Sequence, residues 1–107
     1  MAHSLAPAEL REQLSTSEGS SLLLDVREDW EYQICHIEGS RNCPVSQVPT
    51  LLAELDPDTP TVVICHHGVR SQHVAEFLER SGFSKVCNLE GGIDAWAREI
   101  DPQMPTY

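Results

Sequence analysis

The sequence has no long hydrophobic run and few basic residues, and each shortage excludes a class of protein. Its longest purely apolar runs, such as 22–24 and 62–65, have strand length and fall far below the roughly 20 residues of a membrane-spanning helix. Lys and Arg number 7 against 17 Asp and Glu, which gives a formal net charge of −10. Because phosphate neutralisation requires basic side chains, nucleic acid and anionic membranes are not expected partners. A small anionic substrate would have to be held by local donors.

The N-terminal segment and the cysteines also lack the patterns of an exported protein. Residues 1–7 contain no basic patch followed by an apolar stretch, so no secretory signal is predicted and a cytoplasmic location is expected. The four cysteines have no tight, regular spacing and are expected to be thiols; they are Cys35, Cys43, Cys65 and Cys87. A chain of 107 residues with 40% hydrophobic and 22% charged residues fits one globular domain over 1–107.

Short apolar runs alternate along the chain with segments of helical period, which predicts an α/β fold with a largely parallel sheet. Strands are expected at 22–26, 41–43, 61–65 and 85–89, and helices at 7–14, 28–34, 50–55, from 70 to a stop at Gly82, and around Trp96. The strand at 61–65 is the clearest because it is short, apolar and β-branched. Val74, Phe77 and Leu78 fall on one face of the helix that follows it.

One loop joins that strand to that helix, and its sequence is Cys65-His66-His67-Gly68-Val69-Arg70-Ser71. The loop lies at the carboxyl edge of the predicted sheet, where open α/β sheets bind ligands. Its backbone N–H groups and the dipole of the following helix would stabilise a thiolate at Cys65. Gly68 permits a tight turn, Arg70 offers a fixed charge and Ser71 offers a hydroxyl donor. The sequence therefore predicts a reactive cysteine, the alternative being an inert buried strand cysteine.

The two histidines of the loop can be interpreted in two ways. His66 and His67 are either solvated loop residues or contacts to a substrate or partner. No metal site is predicted, because adjacent histidines beside Cys65 lack the spacing of paired ligands. No cofactor is expected either.

The Cys65 loop, in its pattern Cys-x-x-Gly-x-Arg-Ser, resembles the active-site loop of the rhodanese family. Segments on both sides also resemble motifs of that family. They are Asp25-Val26-Arg27, Glu31, His36-Ile37-x-Gly39 and Asn42-x-Pro44 upstream, and Gly91-Gly92-x-x-x-Trp96 downstream. The resemblance extends from about Pro7 to Trp96. It implies a rhodanese-like α/β fold, with a five-stranded, mainly parallel sheet flanked by helices on both faces.

The resemblance also implies a sulfurtransferase of the thiosulfate or persulfide type. Such an enzyme moves a sulfane sulfur from thiosulfate or a protein persulfide to a thiol or cyanide acceptor. Carried onto this chain, Cys65 is the nucleophile that becomes a persulfide, and His66, His67, Gly68, Val69, Arg70 and Ser71 form the loop that binds it. The expected partners are a small anionic sulfur donor or a protein persulfide, and a thiol acceptor.

Other residues of these motifs are expected to support the loop. Asp25 and Arg27 are predicted to form a bracing ion pair, and of the two Arg27 is the better suited to contact an anion. His36 is expected to cap a turn. Trp30 and Trp96 are expected to be packing residues.

Three alternatives stay open at this stage. Phosphatases and arsenate reductases also place a thiolate in a loop closed by arginine, but they have one residue more between the two than the four residues between Cys65 and Arg70. A non-catalytic rhodanese-like domain would bind a partner without sulfur transfer. Cys35, which stands where the family commonly has glycine, is a candidate resolving thiol. Because His66 and His67 occupy positions where a strongly basic residue would bind thiosulfate better, weak thiosulfate binding is expected.

Overall fold

A computed structural model, which describes residues 3–15 and 21–107, contains one five-stranded sheet in the order β1-β5-β4-β2-β3. The strands are β1 (His3–Leu5), β2 (Leu22–Asp25), β3 (Arg41–Asn42), β4 (Thr61–Ile64) and β5 (Val86–Leu89). The helices are α1 (Pro7–Ser15), α2 (Asp29–Ile34), α3 (Val48–Leu51), α4 (Val69–Arg80) and α5 (Gly92–Glu99), with 3-10 turns at Val45–Gln47 and Leu52–Glu54. Each neighbouring pair of strands is parallel. The five-stranded parallel α/β sheet expected from the sequence is confirmed; residues 1–2 and 16–20 of the predicted domain lie outside the description.

Two core clusters lie on opposite faces of the sheet, because successive side chains of a strand point to opposite sides. Val63 and Cys65 face one cluster together with Leu78 of α4. Val62 and Ile64 face the other, which is completed by residues of α1 and α5 that include Leu10, Ile93 and Trp96. The sheet is thus covered by helices on both faces, as expected.

The structure departs from the sequence-based elements at a few points. Strand β1 was not expected; it lies at the sheet edge and pairs with β5, with Ser4 opposite Asn88. The helix expected at 50–55 is instead α3 followed by a 3-10 turn at Leu52–Glu54. Trp96 is buried, with 7% of its surface exposed, whereas the packing role expected for Trp30 is wrong, since 61% of Trp30 is exposed.

All four cysteines are free thiols, as predicted. Burial raises the pKa of the Cys43 and Cys87 thiols, so neither has the lowered pKa of a reactive cysteine. Within the described ranges, no helix has the length and apolar character needed to span a membrane.

Candidate active site

Cys65 follows the last residue of β4 and precedes the bend that leads into α4. After Cys65 the chain turns sharply at Gly68, which has a φ of +98°. Gly68 stands immediately before Val69, the first residue of α4. A Cβ added at Gly68 would lie 3.3 Å from the backbone nitrogen of Gly91 and 3.4 Å from the carbonyl oxygen of Leu89. The left-handed backbone and this close approach together account for glycine here.

Two neutral donors converge on the sulfur of Cys65. The Gly68 N–H donates to Sγ at 3.0 Å, and the Ser71 hydroxyl lies 3.2 Å from Sγ. The Ser71 hydroxyl has a single proton and a second acceptor within reach, Asn88 Oδ1, so it donates to Sγ when it turns away from Asn88. Asn88 Nδ2 donates to the Gly68 carbonyl at 3.0 Å. Only 1% of Cys65 is exposed. The sulfur therefore sits in a cradle of N–H and O–H dipoles, which can stabilise a negative charge on it.

The start of α5 fixes the backbone of the same loop. The Ile93 N–H donates to the Cys65 carbonyl at 2.8 Å, and the Asp94 N–H donates to the His66 carbonyl at 3.0 Å. A Cβ at Gly92 would collide with both of these carbonyl oxygens. The glycine of this downstream motif thus allows α5 to hold the loop by backbone contacts.

Beside the loop lies a group of charged side chains, here called the ionic cluster, which comprises Asp25, Arg27, Glu31 and Arg70. Arg27 is fully buried and contacts both carboxylate oxygens of Asp25, with the closest distances at 2.9 and 2.7 Å. Its remaining donors reach the carbonyls of Cys35 at 2.6 Å and Glu31 at 3.2 Å, and the Tyr107 hydroxyl at 3.0 Å. Burial by itself lowers the pKa of Arg27, but the bonds to Asp25 and Tyr107 outweigh burial and raise it.

This geometry gives Asp25 and Arg27 the bracing ion pair expected of them. That Arg27 is the better suited of the two to contact an anion stays a prediction; in this structure its guanidinium is bound to protein acceptors. Asn42 adds to the brace by donating to the carbonyls of Asp25 and Arg27 at 3.1 and 2.9 Å.

Within the ionic cluster, Arg70 is bound to Glu31 through both of its terminal nitrogens. They donate to the two oxygens of Glu31 at 2.8 and 2.9 Å. This bidentate pair lowers the pKa of Glu31 to about 2 and raises that of Arg70. The expected fixed charge of Arg70 is therefore neutralised by a carboxylate rather than left free at the sulfur.

Three rings stack along the rim of the loop. The His66 ring lies between those of His67 and Tyr107, with centroids 4.1 Å away in each case. Burial lowers the pKa of His66. His67 is exposed, as expected of a solvated loop residue, and 66% of Val69 is accessible. His66 is half-buried between the two rings and is therefore not a solvated loop residue.

Three residues that contact the site were not among the predicted site residues: Glu31, Asn88 and Tyr107. Tyr107 accepts from Arg27 and donates to Glu31 at 2.9 Å, and its ring is in edge contact with Trp30. Burial raises the pKa of Tyr107 to about 12. No motif marks Tyr107 or Asn88, but Glu31 belongs to the upstream signature and carried a usable signal.

His36 of the upstream motifs and Cys35 beside it have local contacts. His36 Nδ1 lies 2.9 Å from the Tyr32 carbonyl and its ring stacks on that of Tyr32, in keeping with the turn-capping role expected for it. Cys35 is buried, and its sulfur lies 3.9 Å from Nη1 of Arg27. Its candidacy as a resolving thiol stays a prediction.

The arrangement of a strand-end cysteine, a glycine-containing loop and a helix that begins at the loop defines a class of protein. Residues 6–99 match the family model of the Rhodanese-like domain. The chain belongs to the rhodanese-like domain family.

The curated relatives of this chain include longer proteins. A Rhodanese-like/PpiC domain-containing protein 12 of Arabidopsis thaliana, described as chloroplastic, is 39% identical over 89 residues, covering 79% of this chain and 30% of that protein. A protein of Mycobacterium tuberculosis named "Probable adenylyltransferase/sulfurtransferase MoeZ" is 37% identical over 105 residues, covering 96% of this chain and 26% of that protein. The chain thus spans between a quarter and a third of these curated relatives.

Solved structures of similar size share the fold. A rhodanese-related protein from Thermoplasma volcanium superimposes with a TM-score of 0.82 at 35% identity, covering 92% of this chain and 93% of that one. A rhodanese-like domain protein from Staphylococcus aureus gives a TM-score of 0.82 at 32% identity, covering 88% and 90%.

Proposed function

We propose that this protein is a sulfurtransferase in which Cys65 carries a sulfane sulfur as a persulfide. The observation that carries the proposal is the convergence of the Gly68 N–H and the Ser71 hydroxyl on Sγ, at 3.0 and 3.2 Å. Donors placed in this way stabilise an anionic sulfur before and after transfer. The family assignment and the sulfurtransferase name of the mycobacterial relative support the same chemistry.

The proposed transfer has two steps that balance without an external oxidant. The Cys65 thiolate attacks the outer sulfur of thiosulfate; a sulfur–sulfur bond forms at Cys65 and sulfite leaves with the electron pair of the broken bond. A thiolate or cyanide then attacks the outer sulfur of the persulfide, and the Cys65 thiolate is released. With a protein persulfide as donor, the leaving group is that protein's thiolate.

We further propose that the preferred donor is a protein persulfide and that thiosulfate binds weakly. Thiosulfate is a dianion, and Arg70 of the loop and Arg27 beside it already have carboxylate partners. Arg27 is paired with Asp25 at 2.7 Å, and Arg70 with Glu31 at 2.8 Å. The net charge of −10 opposes the approach of a free anion as well.

A steady-state assay with cyanide as acceptor tests both parts of the proposal. Thiocyanate formation from thiosulfate and from a persulfidated carrier protein is compared for the wild type, Cys65→Ala and, as a matched control, Cys87→Ala, which removes a half-buried thiol of β5. We expect Cys65→Ala to abolish turnover with both donors and Cys87→Ala to retain it. Half-saturation is expected only at about millimolar thiosulfate or above. A micromolar KM for thiosulfate would overturn the donor preference.

A partner-binding role without catalysis is the second candidate, and two exposed apolar side chains near the site favour it. Trp30 contacts Tyr107, and Val69 begins α4 directly after the loop. Binding of a partner that persists in Cys65→Ala, with no transfer from any donor by the wild type, would establish this role. Phosphatase chemistry is disfavoured because Arg70, which would have to hold the phosphate, is bound to Glu31.

A further inference from the structure

We propose that His66, His67 and Asp94 form a binding site for a divalent transition metal such as Zn²⁺ at the rim of the Cys65 loop. Each residue offers one ligand atom, and the three atoms lie within 4.8 Å of one another. The set contains two imidazole nitrogens and one carboxylate oxygen. Imidazole and carboxylate are established ligands of Zn²⁺, and imidazole also suits Cu²⁺ and Ni²⁺.

Backbone contacts hold the two contributing segments together. Asp94 lies in the first turn of α5, and its N–H donates to the carbonyl of His66 at 3.0 Å. The neighbouring Ile93 N–H donates to the carbonyl oxygen of Cys65 at 2.8 Å, which fixes the backbone of the residue before the two histidines. The relative position of the backbone segments that carry the three ligands is therefore set by the fold.

Side-chain rotation has to bring the ligand atoms closer before they share one ion. Zn²⁺ binds nitrogen at about 2.0–2.1 Å, so ligand atoms on one tetrahedral ion lie about 3.3 Å apart. His67 Nε2 and Asp94 Oδ2 are 3.9 Å apart, and His67 is exposed, so its ring can turn towards the ion by giving up its stacking on His66. Arg98, which donates to the same Asp94 oxygen at 3.1 Å, is also exposed and can be displaced by the ion.

The proposed site excludes the sulfur of Cys65. That sulfur is buried and directed to Gly68 and Ser71, whereas His67 is exposed at the surface of the loop. A bound ion would therefore have nitrogen and oxygen ligands only. This distinguishes the proposed site from a metal held adventitiously by the reactive thiol.

Metal binding is tested on the full chain, in its reduced and sulfur-free form. Zn²⁺ affinity is measured by competition with a chromogenic chelator for the wild type, His67→Ala, Asp94→Asn and Cys65→Ala, and for His73→Ala as a matched control, since His73 is an exposed histidine of α4. Loss of a partner that merely orients a ligand costs about 10–100-fold in affinity, so we expect at least a tenfold loss in His67→Ala and Asp94→Asn. Cys65→Ala and His73→Ala should bind one ion per chain as the wild type does.

Co²⁺ titration provides an independent readout of the ligands. The proposed site predicts visible d–d bands without the near-ultraviolet charge-transfer band of a cobalt–thiolate bond. A strong thiolate band that disappears in Cys65→Ala would overturn the proposal. So would unchanged Zn²⁺ affinity in both His67→Ala and Asp94→Asn, whether or not sulfur transfer is found.

Discussion

The Cys65 loop and the ionic cluster lie side by side but use their polar groups differently. In the loop, a backbone N–H and a hydroxyl meet the sulfur of Cys65, and neither donor carries a charge. In the ionic cluster, each arginine is matched by a carboxylate at short distance. The charged groups thus neutralise each other and brace the fold, while dipoles are left to stabilise the sulfur. Variants of the two regions should therefore differ: the cluster should govern stability and the loop should govern sulfur transfer.

The largest effect is expected from Arg27→Met, which leaves the buried carboxylate of Asp25 without its partner. Removing one member of a buried ion pair costs about 3–5 kcal/mol, measured here as the free energy of unfolding in urea. Arg41→Met is the matched control, because Arg41 forms an exposed pair with Glu54 at 3.6 Å, and such pairs contribute about 0–1 kcal/mol. Equal losses in the two variants would contradict the bracing role.

Glu31→Gln should have the next largest effect, and it should depend on pH. The pKa of Glu31 is lowered from 4.5 to about 2, which corresponds to about 2–3 kcal/mol at neutral pH, reduced because Arg70 is partly exposed. A lowered pKa gives stability that is present above pH 4.5 and is lost as the pH falls towards 2.

The difference in unfolding free energy between wild type and Glu31→Gln should therefore be full at pH 7 and shrink below pH 4.5. Glu38→Gln, at an exposed position of the turn before β3, serves as the control. A difference that stays constant down to pH 3 would argue against the ion pair with Arg70.

Ser71→Ala tests the loop side of the comparison. Loss of a hydrogen bond to a charged sulfur costs about 1.5 kcal/mol, which corresponds to about a tenfold lower rate of sulfur transfer. Ser81→Ala is the control on the same segment, since its hydroxyl caps the end of α4 by donating to Phe77 at 2.9 Å. An unchanged transfer rate in Ser71→Ala would show that the hydroxyl has no part in holding the sulfur.

The smallest effect is expected at Tyr107, which touches both the ionic cluster and the rim of the loop. Tyr107→Phe removes the hydroxyl between Arg27 and Glu31 and should cost about 1 kcal/mol of stability. The phenyl ring still covers His66, so the pKa of His66 should stay low in Tyr107→Phe and rise in Tyr107→Ala. An NMR titration of His66 that gives the same pKa in both variants would contradict this stacking role.

The central strand β4, the Cys65 loop and α4 can be predicted from the sequence, because each has a strong local signal. Thr61–Ile64 is β-branched and apolar, the period changes at α4, and Gly68 marks the turn between them. Strand β1 has three residues and depends on β5 for its pairing, so no local period marks it. Sheet register, rather than any motif, places Asn88 opposite Val63 and beside the loop.

The ionic cluster could be predicted only in part. Asp25 and Arg27 are two residues apart, and their pairing follows from the local motif. The bond between Arg70 and Glu31 joins residues 39 positions apart, and that between Tyr107 and Arg27 joins residues 80 positions apart. Such contacts depend on the tertiary fold. The sequence therefore predicts the charge of Arg70 near the sulfur, whereas the structure pairs Arg70 with Glu31.

Intact-mass spectrometry after brief incubation with a sulfane sulfur donor tests the central claim most directly. The wild type should gain the mass of one sulfur atom and lose it on addition of cyanide or a reductant. The Cys65→Ala variant should show no gain in mass. Absence of the adduct with thiosulfate and with a persulfide donor, or an adduct of equal yield in Cys65→Ala, would contradict the claim that Cys65 carries the sulfur.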